Sequence, residues 1–365
     1  MRIGILGGGQ LARMLALGGI PLGAKFVVLD PTQDACSDAV CEHIAGFYGD
    51  TSILDQFADK VDVITYEFEN VPSKCANYLS AKKPVYPPPA ALEVSCDRLK
   101  EKTLFRELGI DTPDFAPISS FEELTSALNE IGFPSVLKTR TLGYDGKGQA
   151  VLRSEEDVQS AWARLGGVDC ILEAFVPFTR EISVIAVRSR TGEIIFYPVG
   201  ENTHRDGILY KSVCCNADPM QSKAEEHILK LLKKLDYVGV LALELFEVDG
   251  KLLANEIAPR VHNTGHWSIE GANTSQFENH IRAITGLPLG DTSPVEFCAM
   301  VNFIGEMPDA SSVLNIKGAH FHAYGKEAKP GRKLGHATIR RQNKEDMLDG
   351  FDKLLDLVNW DVITL

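Results

Sequence analysis

Two glutamates lie in the most apolar part of this chain. Glu244 falls inside Val240-Leu-Ala-Leu-Glu-Leu-Phe246, and Asn255-Glu256 follows Leu252-Leu-Ala254, with Asp249-Gly250 between the two runs. Asp-Gly flanked by apolar residues is a hairpin signal. A buried lone carboxylate is costly unless it is paired or metal-bound. Two carboxylates beside an amide make the all-oxygen set that Mg2+ takes, so Glu244, Asn255 and Glu256 are candidate metal ligands. Spacing gives a test. A regular two-residue turn at Asp249-Gly250 sets Glu244 opposite Asn255 and sends Glu256 to the other face. A three-residue loop, or one bulge, returns both glutamates to one face, and shared metal binding requires that arrangement. The competing reading is two partly exposed strand glutamates.

A second constellation suits phosphate. Lys138 closes the apolar strand Ser135 to Lys138. The loop that follows carries Gly143, Tyr144, Asp145, Gly146, Lys147 and Gly148 before Gln149. Glycines let backbone approach a ligand closely, and Lys138 with Lys147 offsets a triphosphate's charge. The pattern is not a Walker loop. Downstream, Glu173, Ala174, Phe175 and Val176 form an apolar segment able to sandwich an adenine and bond its edge. Glu181, shortly after, can hold ribose hydroxyls.

At the amino end, Gly7-Gly-Gly9-Gln-Leu-Ala12 follows the strand Arg2 to Leu6 and opens a helix, with Asp30 ending the next strand. This approximates a dinucleotide fingerprint. It serves equally for a phosphate-bearing substrate at a helix N-terminus, or for strand–helix packing. Tyr66-Glu67-Phe-Glu-Asn70 follows another strand, where open α/β sheets place ligands; a solvated loop is the alternative. In Arg260-Val-His262-Asn263-Thr-Gly-His266, Pro259 and Gly265 argue for a loop of polar substrate contacts rather than a helical metal pair. His320 and His322 have strand spacing and read as structural. Lys329-Pro-Gly-Arg332-Lys333-Leu-Gly-His336, with Arg340 after it, is either a basic substrate turn or a solvated surface loop.

The elements that must position these residues alternate strand and helix over the first 95 residues, which implies a parallel sheet. The prolines between Pro84 and Pro89 close that unit, since they oppose a regular element. A helix runs from Asp97 to Leu108 and stops at Gly109. Further helices are expected near 155–165, 221–235, 276–285 and 345–358. Strands are expected at 149–152, 170–174, 182–199 (two, about Thr191-Gly192), 300–304, 319–323 and 336–340. Four units follow: 1–95, 96–178, 179–298 and 299–365.

The 365 residues are 44% hydrophobic and 24% charged, with net charge −13. That acidity argues against a general nucleic-acid binder, which needs basic surface, while leaving room for a locally positive cleft. No apolar run reaches the roughly 18 residues of a membrane helix. The opening Ile3-Gly-Ile-Leu6 reads as a buried strand rather than a signal peptide, because Gln10 and Arg13 interrupt it. The eight cysteines form no C-x-x-C pair and read as free thiols, which fits a cytoplasmic protein.

Taken in order, Arg98, Lys138, the Gly-Tyr-Asp-Gly-Lys-Gly-Gln loop, Glu173 to Val176, Glu181, and Glu244 with Asn255-Glu256 resemble the ATP-grasp ligases. Gly-Gly-Gln-Leu near the start, Glu-Phe-Glu-Asn at 67–70, Ala-Pro-Arg-Val-His-Asn-Thr-Gly-His-Trp at 258–267 and Pro-Gly-Arg-Lys-Leu-Gly-His at 330–336 narrow this. They are similar to the family that carboxylates 5-aminoimidazole ribonucleotide in purine (IMP) biosynthesis. The resemblance covers nearly the whole chain. It implies an α/β fold, α+β in the ATP-grasp part. A parallel-sheet preATP-grasp domain precedes a two-lobed ATP-grasp domain and a small C-terminal β-rich subdomain.

The implied reaction uses ATP, Mg2+ and bicarbonate, with carboxyphosphate as intermediate, in a cytoplasmic homodimer. The glycine-rich loop is expected to close as a lid over the water-labile intermediate. By resemblance, Arg98, Lys138, residues 143–149, Glu173 to Val176, Glu181, His204, Asn255 and Glu256 hold ATP. Tyr144, Asp145, Lys147, Arg260 and Lys333 serve the chemistry, and His262 and Asn263 line the bicarbonate and amine site. Gln10, Glu67, Asn70, Arg332 and Arg340 hold the ribonucleotide. The family often has Arg where Lys147 stands, and Lys lacks the bidentate fork. Ala12 replaces a frequent Gly. Another ATP-grasp carboxylase or formyl-transferring ligase shares the ATP residues but differs at 258–267 and 330–336. A nicotinamide (NAD) dehydrogenase is the alternative from another class.

Overall fold

A computed structural model describes residues 1–143 and 146–358. The amino-terminal unit is a four-stranded parallel sheet built from β1 (Arg2–Leu6), β2 (Lys25–Asp30), β3 (Glu42–Ala45) and β4 (Val63–Tyr66), in the order β3-β2-β1-β4. Its helices are α1 (Gln10–Gly19), α2 (Thr51–Asp59) and α3 (Ser73–Ser80). Asp50 caps α2 by accepting from the Ser52 and Ile53 amides. Strands buried on both faces, such as Val63–Tyr66, are what a parallel sheet covered by helices requires. The proline stretch does not fall outside regular structure as expected. Val85 forms a parallel bridge to Ile64, and Pro89 opens α4 (Pro89–Ser95). Proline is tolerated at a helix's first position because that amide has no helical partner.

The helix α5 (Arg98–Glu107) leads into a small antiparallel sheet. Asp97 caps α5 through the Leu99 and Lys100 amides, and Gly109 turns the chain at φ +63°. The small sheet comprises β5 (Phe115–Ile118), β6 (Ser135–Thr139), β7 (Gln149–Leu152) and β8 (Cys170–Ala174), in the order β5-β8-β6-β7. The helices α6 (Phe121–Ile131) and α7 (Glu155–Leu165) cover it, burying Leu124, Leu128, Val158 and Ala161 against Leu137 and Leu172.

The largest sheet has nine strands. Those from the middle of the chain are β9 (Arg180–Arg188), β10 (Ile194–Phe196), β11 (Gly200–Arg205), β12 (Ile208–Cys214), β13 (Gly239–Val248) and β14 (Lys251–Ala258). The chain's last strands are β15 (Phe297–Ile304), β16 (Ala319–Ala323) and β17 (Lys333–Arg341). The order is β14-β13-β9-β11-β12-β15-β17-β16, with β10 also on β9. The boundary expected between 298 and 299 falls inside β15, which pairs with β12, so the C-terminal unit extends the sheet before it. The helices α8 (Gln221–Lys234), α9 (Ser268–Gly271), α10 (Gln276–Thr285), α11 (Ala310–Leu314) and α12 (Lys344–Leu355) pack on this sheet.

The amino-terminal unit is fastened to the large sheet by an apolar core in which Met14 and Leu15 of α1 meet Phe277 and Ile281 of α10. A buried histidine adds a polar tie: His280 Nδ1 accepts from the Val240 amide at 3.1 Å, and its Nε2 lies 2.9 Å from Thr65 Oγ1. Burial holds this imidazole neutral, its pKa pushed down to about 3.

Candidate active site

β13 is central, with β9 on one side and β14 on the other, so Glu244 is only 8% exposed. The hairpin turn is the tight two-residue form, with Val248 paired to Lys251 and Asp249 and Gly250 at φ +50° and +71°. That is the primed turn Asp-Gly favours. Glu244 nevertheless faces Glu256, because the register shifts by one residue at Asn255. The bulge expected from the spacing argument is present, beside the tight turn. A bulge leaves its extra residue unpaired and re-aims its neighbours.

Around this pair the charges are crowded. Arg98 Nη1 donates to Glu256 Oε2 at 3.0 Å, and His262 Nε2 lies 3.2 Å from Glu244 Oε1. His204 Nδ1 bonds Glu181. Burial pushes the Glu244 carboxyl up to about 7; His204 draws it down, and Glu256 and Glu181 raise it again. Burial opposes charge on His204, but Glu181 and Glu244 lift its pKa above the ordinary imidazole value. Among the described residues no three His, Cys, Asp or Glu side chains are grouped to hold a metal by themselves. Two carboxylates suit Mg2+, which keeps several waters and takes its remaining oxygens from phosphates. The donor set therefore fits Mg2+, which Glu244 and Glu256 would hold with Asn255 beside them.

The pair stands in a cleft of about 1210 Å3 that runs from the small sheet to the amino-terminal unit. At one end Lys138, Lys147, Gly143, Gly146 and Gln149 line it together with Phe175 and Phe178. Phe178 stacks on Phe246, ring centroids 4.9 Å apart, and these rings bring an apolar bed to the expected adenine site. The segment 173–176 meets the cleft through Phe175, with Glu173 buried behind. Glu173 Oε2 accepts from Lys138 Nζ at 2.9 Å and stands 3.4 Å from Lys102 Nζ. Burial disfavours its charge, but Lys102 and Lys138 hold its pKa down at about 2. Glycine is required at 146 and 148: both have φ above +70°, and a Cβ would lie 2.4 Å from Asp206 O and 2.6 Å from Thr139 Oγ1 respectively. Tyr144 and Asp145 lie outside the described residues.

At the other end are Gln10, Glu67, Asn70, Arg260, His262, Asn263, Arg332 and Lys333. Gln10 Oε1 accepts from Lys326 Nζ, and Arg260 Nε donates to Glu69 Oε2 at 2.5 Å. Asn263 is fixed by Asn302 and His266. Arg332 Nη1 donates to the Glu327 carbonyl at 3.2 Å.

Three expectations change. Glu67 caps α1, accepting from the Gly9 amide at 2.5 Å and the Ala12 amide at 3.0 Å, so its oxygens are engaged with backbone before any ribonucleotide. Asp30 accepts from the Gly8 amide and from Thr32. The two groups a dinucleotide reading needs are thus taken, which removes its support. Arg340 does not line the cleft. Its Nη1 donates to the Glu270 carbonyl at 3.2 Å and its Nε is 4.0 Å from Glu296. Seven residue steps of strand, at about 3.3 Å each, separate it from Lys333. The cleft also holds Lys326 and Glu69, which sequence reasoning did not single out. Glu69 stood within a motif already noted, and Lys326 precedes the basic turn without a pattern of its own.

Three family models match consecutive parts of the chain. They are a ribonucleotide synthetase preATP-grasp domain over residues 1–96, an ATP-grasp domain over 103–277 and a phosphoribosylaminoimidazole carboxylase C-terminal domain over 298–349. The chain is 57% identical over 340 residues to the N5-carboxyaminoimidazole ribonucleotide synthase of Pseudomonas aeruginosa, covering 93% of this chain and 94% of that one. Its fold superposes on N5-carboxyaminoimidazole ribonucleotide synthetase from Thermus thermophilus with a TM-score of 0.93, at 52% identity over 98% of each chain. It also superposes on N5-carboxyaminoimidazole synthase from Aspergillus clavatus in complex with ADP and 5-aminoimidazole ribonucleotide. That match has a TM-score of 0.91, at 29% identity over 98% of each chain.

Proposed function

The chain belongs to the N5-carboxyaminoimidazole ribonucleotide synthases of the ATP-grasp superfamily, and from that premise we propose how its cleft carries the reaction. The enzyme joins bicarbonate to the exocyclic amine of 5-aminoimidazole ribonucleotide through carboxyphosphate, converting ATP to ADP and phosphate. The observation that carries the site assignment is Glu244 set opposite Glu256 by the bulge, midway along one cleft between a lysine-and-phenylalanine end and a Gln10–Lys326 end.

Adenine lies against Phe175 and Phe178, and Glu181 with His204 takes the ribose. Lys138, positioned by Glu173, and Lys147 meet the phosphates. Phosphoryl transfer to bicarbonate needs positioning and charge neutralisation rather than covalent protein chemistry. Glu244 and Glu256 would hold Mg2+, which would supply charge neutralisation for the phosphates. Arg98 keeps the Glu256 carboxylate oriented. Arg260, His262, Asn263 and Lys333 form the wall where bicarbonate and the amine come together. Burial, with Arg260 and Lys333 nearby, keeps His262 neutral, so its imidazole serves as a neutral hydrogen-bonding group rather than adding charge. Gln10, Lys326 and Arg332 receive the ribonucleotide phosphate, while Glu67 holds the helix bearing Gln10 in place.

The test is ADP release with Mg2+, ATP and bicarbonate, with and without 5-aminoimidazole ribonucleotide. Strong stimulation by the ribonucleotide is expected. ATP turnover indifferent to it, and raised instead by another amine or acid, overturns the substrate assignment.

A further inference from the structure

β14 is an edge strand, paired on one side with β13 and covered on the other by α5. In an antiparallel strand the N–H and C=O of one residue point to the same side, and the side alternates along the chain. Ala254 and Ile257 are three residues apart, so in a regular strand their backbone groups point oppositely. The extra residue at Asn255 turns both outward, toward α5. Three of these outward groups are taken on that side. The Ala254 amide donates to the Asp111 carbonyl at 2.7 Å, and the Ala254 carbonyl accepts from Lys102 Nζ at 3.1 Å. The Ile257 amide donates to Glu101 Oε1 at 2.7 Å.

We infer that Glu101 and Lys102 are positioning residues that clamp the Asn255 bulge and thereby hold Glu256 opposite Glu244. Arg98, one helical turn before them on the same face of α5, reaches the Glu256 carboxylate itself. Glu101 is 2% and Lys102 0% exposed. Burying two ionisable groups opposes stability unless their bonds are well made, and here they also partner edge-strand backbone groups that apolar side chains could not satisfy. What these two add is register. Apolar contact tolerates a slip, whereas donors and acceptors matched to Ala254 and Ile257 do not. A one-residue slip to regular pairing aligns Glu244 with Asn255 and turns Glu256 to the opposite face. Lys102 also stands 3.4 Å from Glu173, the partner of Lys138, so one buried lysine links the bulge to the cation on the phosphate side.

The inference rests on the cation-binding reading of Glu244 and Glu256, and the experiment separates the two. Mn2+ binding to the full chain with ADP is measured by electron paramagnetic resonance, together with amide exchange over residues 254–257 and thermal melting. Glu101→Leu and Lys102→Met are expected to weaken Mn2+ binding by about 10- to 100-fold, the usual range for groups that orient a ligand, and to speed exchange in that segment. Glu101→Gln keeps an acceptor for the Ile257 amide and should stay within about twofold of the parent on the same scale. A folded Glu101→Leu with parental Mn2+ affinity overturns the clamp, even if its melting temperature falls. If Lys102→Met does not fold, the Leu and Gln variants of Glu101 decide alone. Glu256→Gln is the control. Parental Mn2+ affinity in that variant overturns the cation reading and the clamp with it. Loss there alongside full retention in Glu101→Leu removes the clamp only.

Discussion

At the amino-terminal glycine turn, Asp30 and Glu67 meet backbone amides: Gly8 for one, Gly9 and Ala12 for the other. At the hairpin, Glu244 and Glu256 meet each other, with Arg98 and His262 at the flanks. The first pair is settled by the chain itself, since amides at a helix N-terminus favour a carboxylate. The second is not: burial raises both Glu67 and Glu244, but the Ala12 and Gly9 amides oppose it at Glu67, whereas at Glu244, despite His204, the carboxylates Glu256 and Glu181 add to it and bring it to about 7. The turn that most resembles a ligand motif is therefore structural at its core. The hairpin, which matches no short motif, carries the unsettled charge. A glycine-rich turn recruits phosphate only where its amides are not already claimed.

Glu256→Gln is the sharpest test of that contrast. Turnover should fall on the order of 10^3-fold, the scale of charge stabilisation supplied at such a site, with an unchanged circular dichroism spectrum. Full activity would place both carboxylate pairs in one structural class. Glu173 is a third case, settled by lysines. An unfolded glutamate titrates near 4.5, whereas Glu173 is held at about 2: burial opposes its charge, and Lys102 and Lys138 overcome that. Its contribution is complete above about 4.5 and is lost as the pH falls toward 2. Glu173→Gln should cost roughly 3 kcal/mol at pH 7, read from urea midpoints, and the gap to the parent should narrow below pH 4.5. Glu67→Gln keeps one acceptor and should cost about 1–2 kcal/mol, with little change in kcat. A large loss of turnover at unchanged stability would break the comparison by making the glycine turn catalytic. Arg340→Ala is the smallest effect: KM for the ribonucleotide should move by less than about twofold, as for substitutions away from a site.

Much of this was legible along the chain, and what was not has physical causes. Glu244 and Glu256 stood out because carboxylates within apolar strands demand a partner. Counting residues about Asp249-Gly250 left loop and bulge open, since both restore the same face. The bulge is fixed by α5, about 150 residues earlier in sequence, and no local pattern announces Lys102 as its donor. β11 escapes a sequence reading because Glu201 to Arg205 is polar, although Asn202 is buried. Pro89 reads in sequence as a breaker, yet it begins a helix. Arg340 is assigned by resemblance, but its extended strand carries it away from the cleft that Lys333 lines. Glu67 was recognised as important, but its partners at Gly9 and Ala12 only became visible once β4 lay beside β1.

The pairing of β12 with β15 has a consequence for how the protein is made. Lys211 meets Val301, so the outer row of β12 emerges from the ribosome about ninety residues before its partner. At about 5–20 residues per second that edge stays unpaired for several seconds, and an unpaired edge is a template for pairing with other chains. Translation pauses or nonsense mutations between these strands should therefore yield aggregation rather than a shortened soluble product, and a holding chaperone has its natural window there.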